Sequence, residues 1–284
     1  ICNSCNPYMI WLGQKMGRHT FFNFFEAFGF TQRTGIDMPG EADSLYFSED
    51  ELNIVELATS SFGQNFSITP IQMITAIAAV ANGGYLVQPH VVDRMLDSDG
   101  NIVKTTDTSY KRQVISEDVS KRMTAILQKN ATSESGKNGY VAGYRVAGKT
   151  GTSEKVALYY QDLAEGNDRG MQYVVSYGGY APADDPQYAL LVFYDEPQIG
   201  GASGGTQAGP IFAAIMEEVL PYLGVDPQYT ESEYENLSAT APNVIGMTMA
   251  EAKSHLEEQG FSGTVVGDAE DDALVTVQVP SPGA

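Results

Sequence analysis

The 284 residues are 43% hydrophobic and 10% aromatic, with 29 Gly and 13 Pro spread without period, a composition that buries a core and excludes collagen-like, disordered and coiled-coil chains. Sixteen basic against 36 acidic side chains leave a formal charge of −20, a field that repels phosphate backbones and anionic headgroups and excludes nucleic-acid binding as a function class. The longest apolar run, residues 74–81 with Thr75 inside it, falls far short of the about 20 residues of a spanning helix.

The chain opens on Ile1 without a basic start or a cleavable apolar segment, and reads as cut from something longer. Cys2 and Cys5, the only cysteines, form a C-x-x-C that offers two ligands where zinc wants four, and His19, His90 and His255 lack ligand spacing, so no metal site is expected. Residues 7–28 are helical in pattern: Tyr8, Met9, Trp11, Leu12 and Met16 share a face, Gly17 interrupts, and Phe21, Phe22, Phe24, Phe25 and Phe28 begin another. Thr69 with Pro70 and Gln72 predicts a capped helix that Gly83-Gly84 closes, buried through Ile71, Ile74, Ala78 and Ala79. Ser116 starts a further helix with Glu117 and Asp118 in its first turn. Residues 144–152, 172–180 and 187–194 read as consecutive antiparallel strands, the last two joined by the turn sequence Ala183-Asp184-Asp185-Pro186. Gly209-Pro210 opens a helix whose stripe is Ile211, Phe212, Ile215, Met216, Val219, Leu220 and Leu223. A strand set followed by a packed helix predicts an α+β fold.

Residues 1–225 form the large domain in this reading, 226–240 an acidic solvated linker, and 241–284 a satellite module too small to fold robustly without help. In the module Thr248 and Glu251 make a capping box, Ala252 and Leu256 face inward, Gly260 stops the helix, and Val265 and 275–277 are expected as short strands.

The sharpest chemical signal is Lys149-Thr150-Gly151-Thr152 at a strand end. An ammonium beside two hydroxyls clamps a carboxylate, and Gly151 lets an extended peptide lie against the strand backbone. Ser4-x-Asn6 gains meaning beside it, since a serine relays a proton only next to a basic amine, and an Asn amide holds a substrate peptide group.

Ser4-Cys5-Asn6 before a helix, Thr59-Ser60-Ser61-Phe62-Gly63-Gln64 before Ile68-Thr69-Pro70-Ile71-Gln72-Met73, and Gly148-Lys149-Thr150-Gly151-Thr152 resemble the transpeptidase domain of class B penicillin-binding proteins. Ala241-Pro242-Asn243-Val244-Ile245-Gly246-Met247 and Gln278-Val279-Pro280-Ser281-Pro282-Gly283 resemble an incomplete PASTA module, a pairing similar to Gram-positive division or spore-cortex enzymes. The resemblance implies the penicillin-binding-protein transpeptidase fold with its N-terminal part missing, plus a small α/β PASTA module. It implies a D,D-transpeptidase that cross-links peptidoglycan stem peptides ending in D-Ala-D-Ala by serine acyl transfer, is acylated by beta-lactams, and uses no metal or cofactor. Ser4 would shuttle protons, Asn6 hold the stem peptide and Lys149 tune the site. Thr150, Gly151 and Thr152 would bind the substrate end, and the Thr152 N–H would supply half the oxyanion hole. Divisome or spore-cortex proteins are the implied partners. The implied location is the extracytoplasmic face of the cell membrane, with an anchoring segment outside this chain.

The pattern departs in one place. No lysine follows a serine by three positions, so the S-x-x-K nucleophile is absent, and the chain alone is expected to be an inactive fragment. The rival readings are a non-catalytic peptidoglycan-binding or sensor protein, and a serine beta-lactamase or D,D-carboxypeptidase with water as acceptor. The apparent wall-binding tail disfavours the second.

Overall fold

The computed structural model describes residues 1–198, 201–237, 241–261, 263, 265 and 270–278, which fall into two compact units, Ile1–Gln228 and Tyr229–Ala284. The first unit opens with α1 (Asn6–Met16) and α2 (Arg18–Ala27), separated at Gly17. The expected apolar face of α1 is covered only in part: Met9 and Leu12 are half-buried, while Tyr8 and Trp11, their rings 5.6 Å apart, are 55% and 51% exposed. Gly13 is the one buried residue of α1, because a Cβ there would lie 1.8 Å from Ser61 Oγ. Ser61 follows α3 (Ile54–Ser60), a seven-residue helix capped by Asn53, too short to leave a periodic signal. In α4 (Pro70–Ala81) the capping box forms as the sequence predicts, but the buried positions are Gln72, Thr75, Ala76 and Ala79, with Ile71, Ile74 and Ala78 only half-buried. Gln72 is tolerated inside because its amide donates to the carbonyls of Gly29 and Gln32.

Two ribbons follow that the sequence does not advertise: β1 (Tyr85–Val87) pairs with β4 (Tyr110–Gln113), and β2 (Arg94–Leu96) with β3 (Ile102–Thr105). Strands of three and four residues are too short for alternation to show. Then come α5 (Glu117–Ala131), capped by Ser116, and a 3-10 turn at Lys137–Gly139.

The sheet runs in the order β5 (Ala147–Glu154), β6 (Tyr173–Ala181), β7 (Tyr188–Asp195), all antiparallel as expected. Its first strand starts three residues later than predicted, since Arg145 sits at φ +45°, and it continues past Thr152 to Glu154. The β5–β6 connection holds an unexpected helix, α6 (Val156–Ala164), tied down by ion pairs rather than by an apolar face. The Arg169 guanidinium grips the nearly buried Asp162 through two bonds of 2.9 and 3.0 Å, and Lys155 reaches Asp195 and Glu196 at 2.5 and 2.8 Å.

The helix α7 (Gly204–Tyr222) begins five residues before Gly209 and buries Ala208, Phe212, Met216 and Leu220; Ile211, Ile215, Val219 and Leu223 point outward. The inward set recurs every four residues, one ridge of a helix laid on a sheet. Tyr177 meets Phe212 at 4.7 Å on that face of β6, while Gly178 faces Ile77 of α4, and Tyr180 bonds Thr124 of α5 at 2.7 Å on the other. The unit is therefore layered, with α7 on one side of the sheet and α4 and α5 on the other.

In the second unit, α8 (Glu231–Leu237) lies where a bare linker was expected, and Thr230 and Glu233 bond reciprocally at its start. The predicted capping box at Thr248 opens α9 (Met249–Glu258). Residues 275–277 form no strand; a single bridge joins Thr248 to Leu274, with backbone bonds from Val275 to Gly246 and Met247. Val265 is not in a strand, and most of its neighbours lie outside the described residues.

Candidate active site

Ser4 sits in a tight turn ahead of α1, its N–H donating to Ile1 O, at φ +43°. That left-handed conformation costs a non-glycine residue on the order of 1 kcal/mol or more and persists only where surrounding contacts impose it. Cys5 is the N-cap, Asn6 the first helical residue and Pro7 fits the first turn, where its missing N–H is no loss. The loop is thereby pinned at the point where a helix begins.

On the other side stands β5, the edge strand of the sheet among the described residues. Gly148 faces Tyr177, whose ring lies between it and Gly139: an added Cβ would come within 2.5 Å of the ring at Gly148 and within 2.2 Å at Gly139. The Tyr177 hydroxyl donates to Gly136 O, and burial pushes its phenol up, so it stays neutral. This packing holds the strand that carries Lys149.

The Lys149 ammonium donates to Ser4 Oγ at 2.5 Å, across 145 residues of sequence, and to Thr150 O and Oγ1 at 2.9 and 3.1 Å. Its three donors are thus all engaged by neutral oxygens. Burial pulls the Lys149 amine below the usual lysine range, with the Cys2 sulfur opposing the shift. An amine so biased releases a proton more readily, and Ser4 is the side chain placed to exchange it.

Strand alternation turns Thr150 and Thr152 toward α7. Thr152 Oγ1 accepts from Gly204 N at 3.2 Å and Thr150 Oγ1 accepts from Lys149, so each hydroxyl proton is left without an acceptor among the described residues. Of the two hydroxyls, that of Thr150 lies beside the ammonium. The Asn6 side chain is exposed, with no hydrogen bond among the described residues, two positions from Ser4. At Gly151 a Cβ would lie 2.5 Å from Ser176 Oγ, so its missing side chain also makes room for the neighbouring strand. The sequence reading missed Gly204 and Gly205, which bring the start of α7 against Gly151 and Thr150. Their adjacent pairing at a helix start was the available signal.

Cys2 and Cys5 are both free thiols, and the described residues hold no group of three metal-ligating side chains. None of the described helices is long and apolar enough to cross a membrane.

Residues 1–217 match the family described as the penicillin binding protein transpeptidase domain, and residues 239–284 match the PASTA domain. Stage V sporulation protein D of Bacillus subtilis is 38% identical over 260 residues, 89% of this chain and 39% of that protein. The peptidoglycan D,D-transpeptidase FtsI of Escherichia coli K12 is 29% identical over 217 residues, 76% of this chain and 34% of that one. Among solved structures, penicillin binding protein 3 of Mycobacterium tuberculosis in complex with aztreonam superposes with a TM-score of 0.69 at 26% identity, covering 80% of this chain and 51% of its own. The chain spans about two-fifths of the Bacillus protein and a third of the Escherichia one. With a layered helix–sheet unit of the same architecture and a family match across most of its length, the chain belongs to the penicillin-binding protein transpeptidase family and carries a PASTA domain after it.

Proposed function

We propose that this chain supplies the proton-transfer and substrate-clamping half of a serine D,D-transpeptidase that cross-links peptidoglycan stem peptides ending in D-Ala-D-Ala. The observation that carries the reading is the 2.5 Å bond from Lys149 Nζ to Ser4 Oγ. In this reading residues 1–225 are the transpeptidase portion and 241–284 the PASTA module, joined by 226–240. The site works on the wall-facing side of the membrane, with division or spore-cortex proteins as partners.

An extended stem peptide lies along β5, its terminal carboxylate received by the Thr150 and Thr152 hydroxyls beside the Lys149 charge, and Asn6 holds a peptide group of the same stem. The acylated serine belongs to an S-x-x-K pattern outside these 284 residues. It attacks the penultimate D-Ala carbonyl as its hydroxyl proton passes to the lysine of the same pattern, and the Thr152 N–H meets the developing oxyanion. As the C–N bond breaks, its electron pair leaves on the terminal D-Ala nitrogen. Ser4 passes its hydroxyl proton to that nitrogen and is refilled by the Lys149 ammonium. The amine of an acceptor stem then attacks the ester, its proton returns through Ser4 to Lys149, and the serine oxygen leaves as it recovers its proton from the lysine of its own pattern. A beta-lactam acylates the same serine, but its leaving group stays tethered.

The test uses the full-length gene product with a stem pentapeptide donor and an amine acceptor, measuring D-Ala release and the cross-linked product. The expected result is stoichiometric release with cross-link formation, blocked by benzylpenicillin and slowed about 10²-fold or more in Ser4→Ala. Release without cross-linking would point to a carboxypeptidase, and no release would contradict the enzymatic reading.

A further inference from the structure

Two ties connect the Ser4 turn to the rest of the molecule by side-chain hydrogen bonds among the described residues. One is the Lys149 bond itself; the other is Ser135 Oγ, which donates to Cys2 O at 2.5 Å. We infer that Ser135 is a positioning residue that holds the Ser4 turn in register with Lys149, an assignment that rests on the acyl-transfer reading above. Ser135 lies in the turn after α5, and that turn also reaches the opposite partner of the pair. The Asn130 side chain, fully buried at the end of α5, donates to Gly148 O at 2.7 Å, the carbonyl immediately before Lys149. Ser133 Oγ donates to Asn130 O at 2.6 Å and stands 3.4 Å from Ser135 Oγ; both hydroxyl protons are already committed, so the two serines touch without bonding. One short segment therefore grips the backbone beside each member of the Ser4–Lys149 pair.

The segment is itself rigid. Gly136 and Lys137 donate their N–H groups to Ser133 O, and a Cβ on Gly136 would come within 2.2 Å of Asn130 O. Behind Ser135, Gly205 of α7 is so close that an added Cβ would lie 2.6 Å from Ser135 O. Such a backing leaves the Ser135 hydroxyl little freedom, and the left-handed backbone of Ser4 needs contacts of this kind to persist.

The experiment measures the second-order rate of acylation of the full-length gene product by fluorescent penicillin, together with its melting temperature. Ser135→Ala should slow acylation about tenfold, the size of one lost hydrogen bond, with little change in melting temperature. Ser135→Thr should restore most of the rate. In a Ser4→Ala background Ser135→Ala should add almost nothing, because its effect passes through Ser4. Should Ser135→Ala not fold, Ser135→Thr against Ser135→Val isolates the hydroxyl in one shape. Slow Ser4→Ala with Ser135→Ala at the wild-type rate, or a Ser135→Ala loss undiminished beside Ser4→Ala, would overturn the positioning role alone. Wild-type acylation by Ser4→Ala would overturn the acyl-transfer reading and this inference together.

Discussion

Lys149 is half-buried, engaged by three neutral oxygens, and held below its ordinary pKa first by desolvation. The sign of its contribution to stability follows. An unfolded lysine titrates near about 10.4, so between the lowered folded value and that point the unfolded chain binds more protons, and stability rises with pH. Below the window the folded protein bears the full penalty of a buried charge. Lys149→Met should remove the rise: in urea unfolding from neutral pH to about 10.5, the stability difference between wild type and variant should move in favour of wild type as pH increases. A difference that stays flat would mean the ammonium is solvated, and the pairing with Ser4 is not what the geometry implies.

Among the elements, the packing of β5 against β6 decides where the site can stand. The Tyr177 ring occupies the space that side chains at Gly139 and Gly148 would fill, so Gly148→Ala and Gly139→Ala should each destabilise by about 1–3 kcal/mol through overpacking. In urea unfolding, Gly148→Ala combined with Tyr177→Leu should cost less than the sum of the two changes, since removing the ring removes the clash. Strict additivity would contradict that account. Elements whose determinants are local were legible in the sequence. The start of α4 follows from Thr69 and Gln72 bonding each other, and the β6–β7 hairpin from the Ala183-Asp184-Asp185-Pro186 turn. What failed to show were elements held by distant partners: α6 depends on Arg169 and on residues beyond β7, and the short ribbons β1–β4 carry no alternation. The candidate residues Ser4, Asn6, Lys149, Thr150 and Thr152 were visible only as motif fragments, and the contact of Ser4 with Lys149 is a property of the folded chain. Ser135 and Asn130 had no signal at all, being ordinary polar residues in a turn and at a helix end.

The molecule as a whole carries a charge of −20, and its compact units must hold 36 carboxylates against 16 cations. Self-repulsion of that size opposes the folded state and is screened by salt, whose Debye length shrinks from about 30 Å at 0.01 M to about 10 Å at 0.1 M. The melting temperature should therefore rise over that range of NaCl; a fall would show that the surface ion pairs, such as Lys155 with Asp195 and Glu196, outweigh the repulsion.

The proposed chemistry rests on the pairing of Ser4 with Lys149, and the most direct measurement is the acylation rate of the full-length gene product by fluorescent penicillin, wild type against Lys149→Ala. The account predicts a fall of about 10²-fold or more, the scale of a lost proton-transfer group, in a variant that still melts cooperatively at neutral pH. A folded Lys149→Ala variant that acylates at the wild-type rate would contradict it.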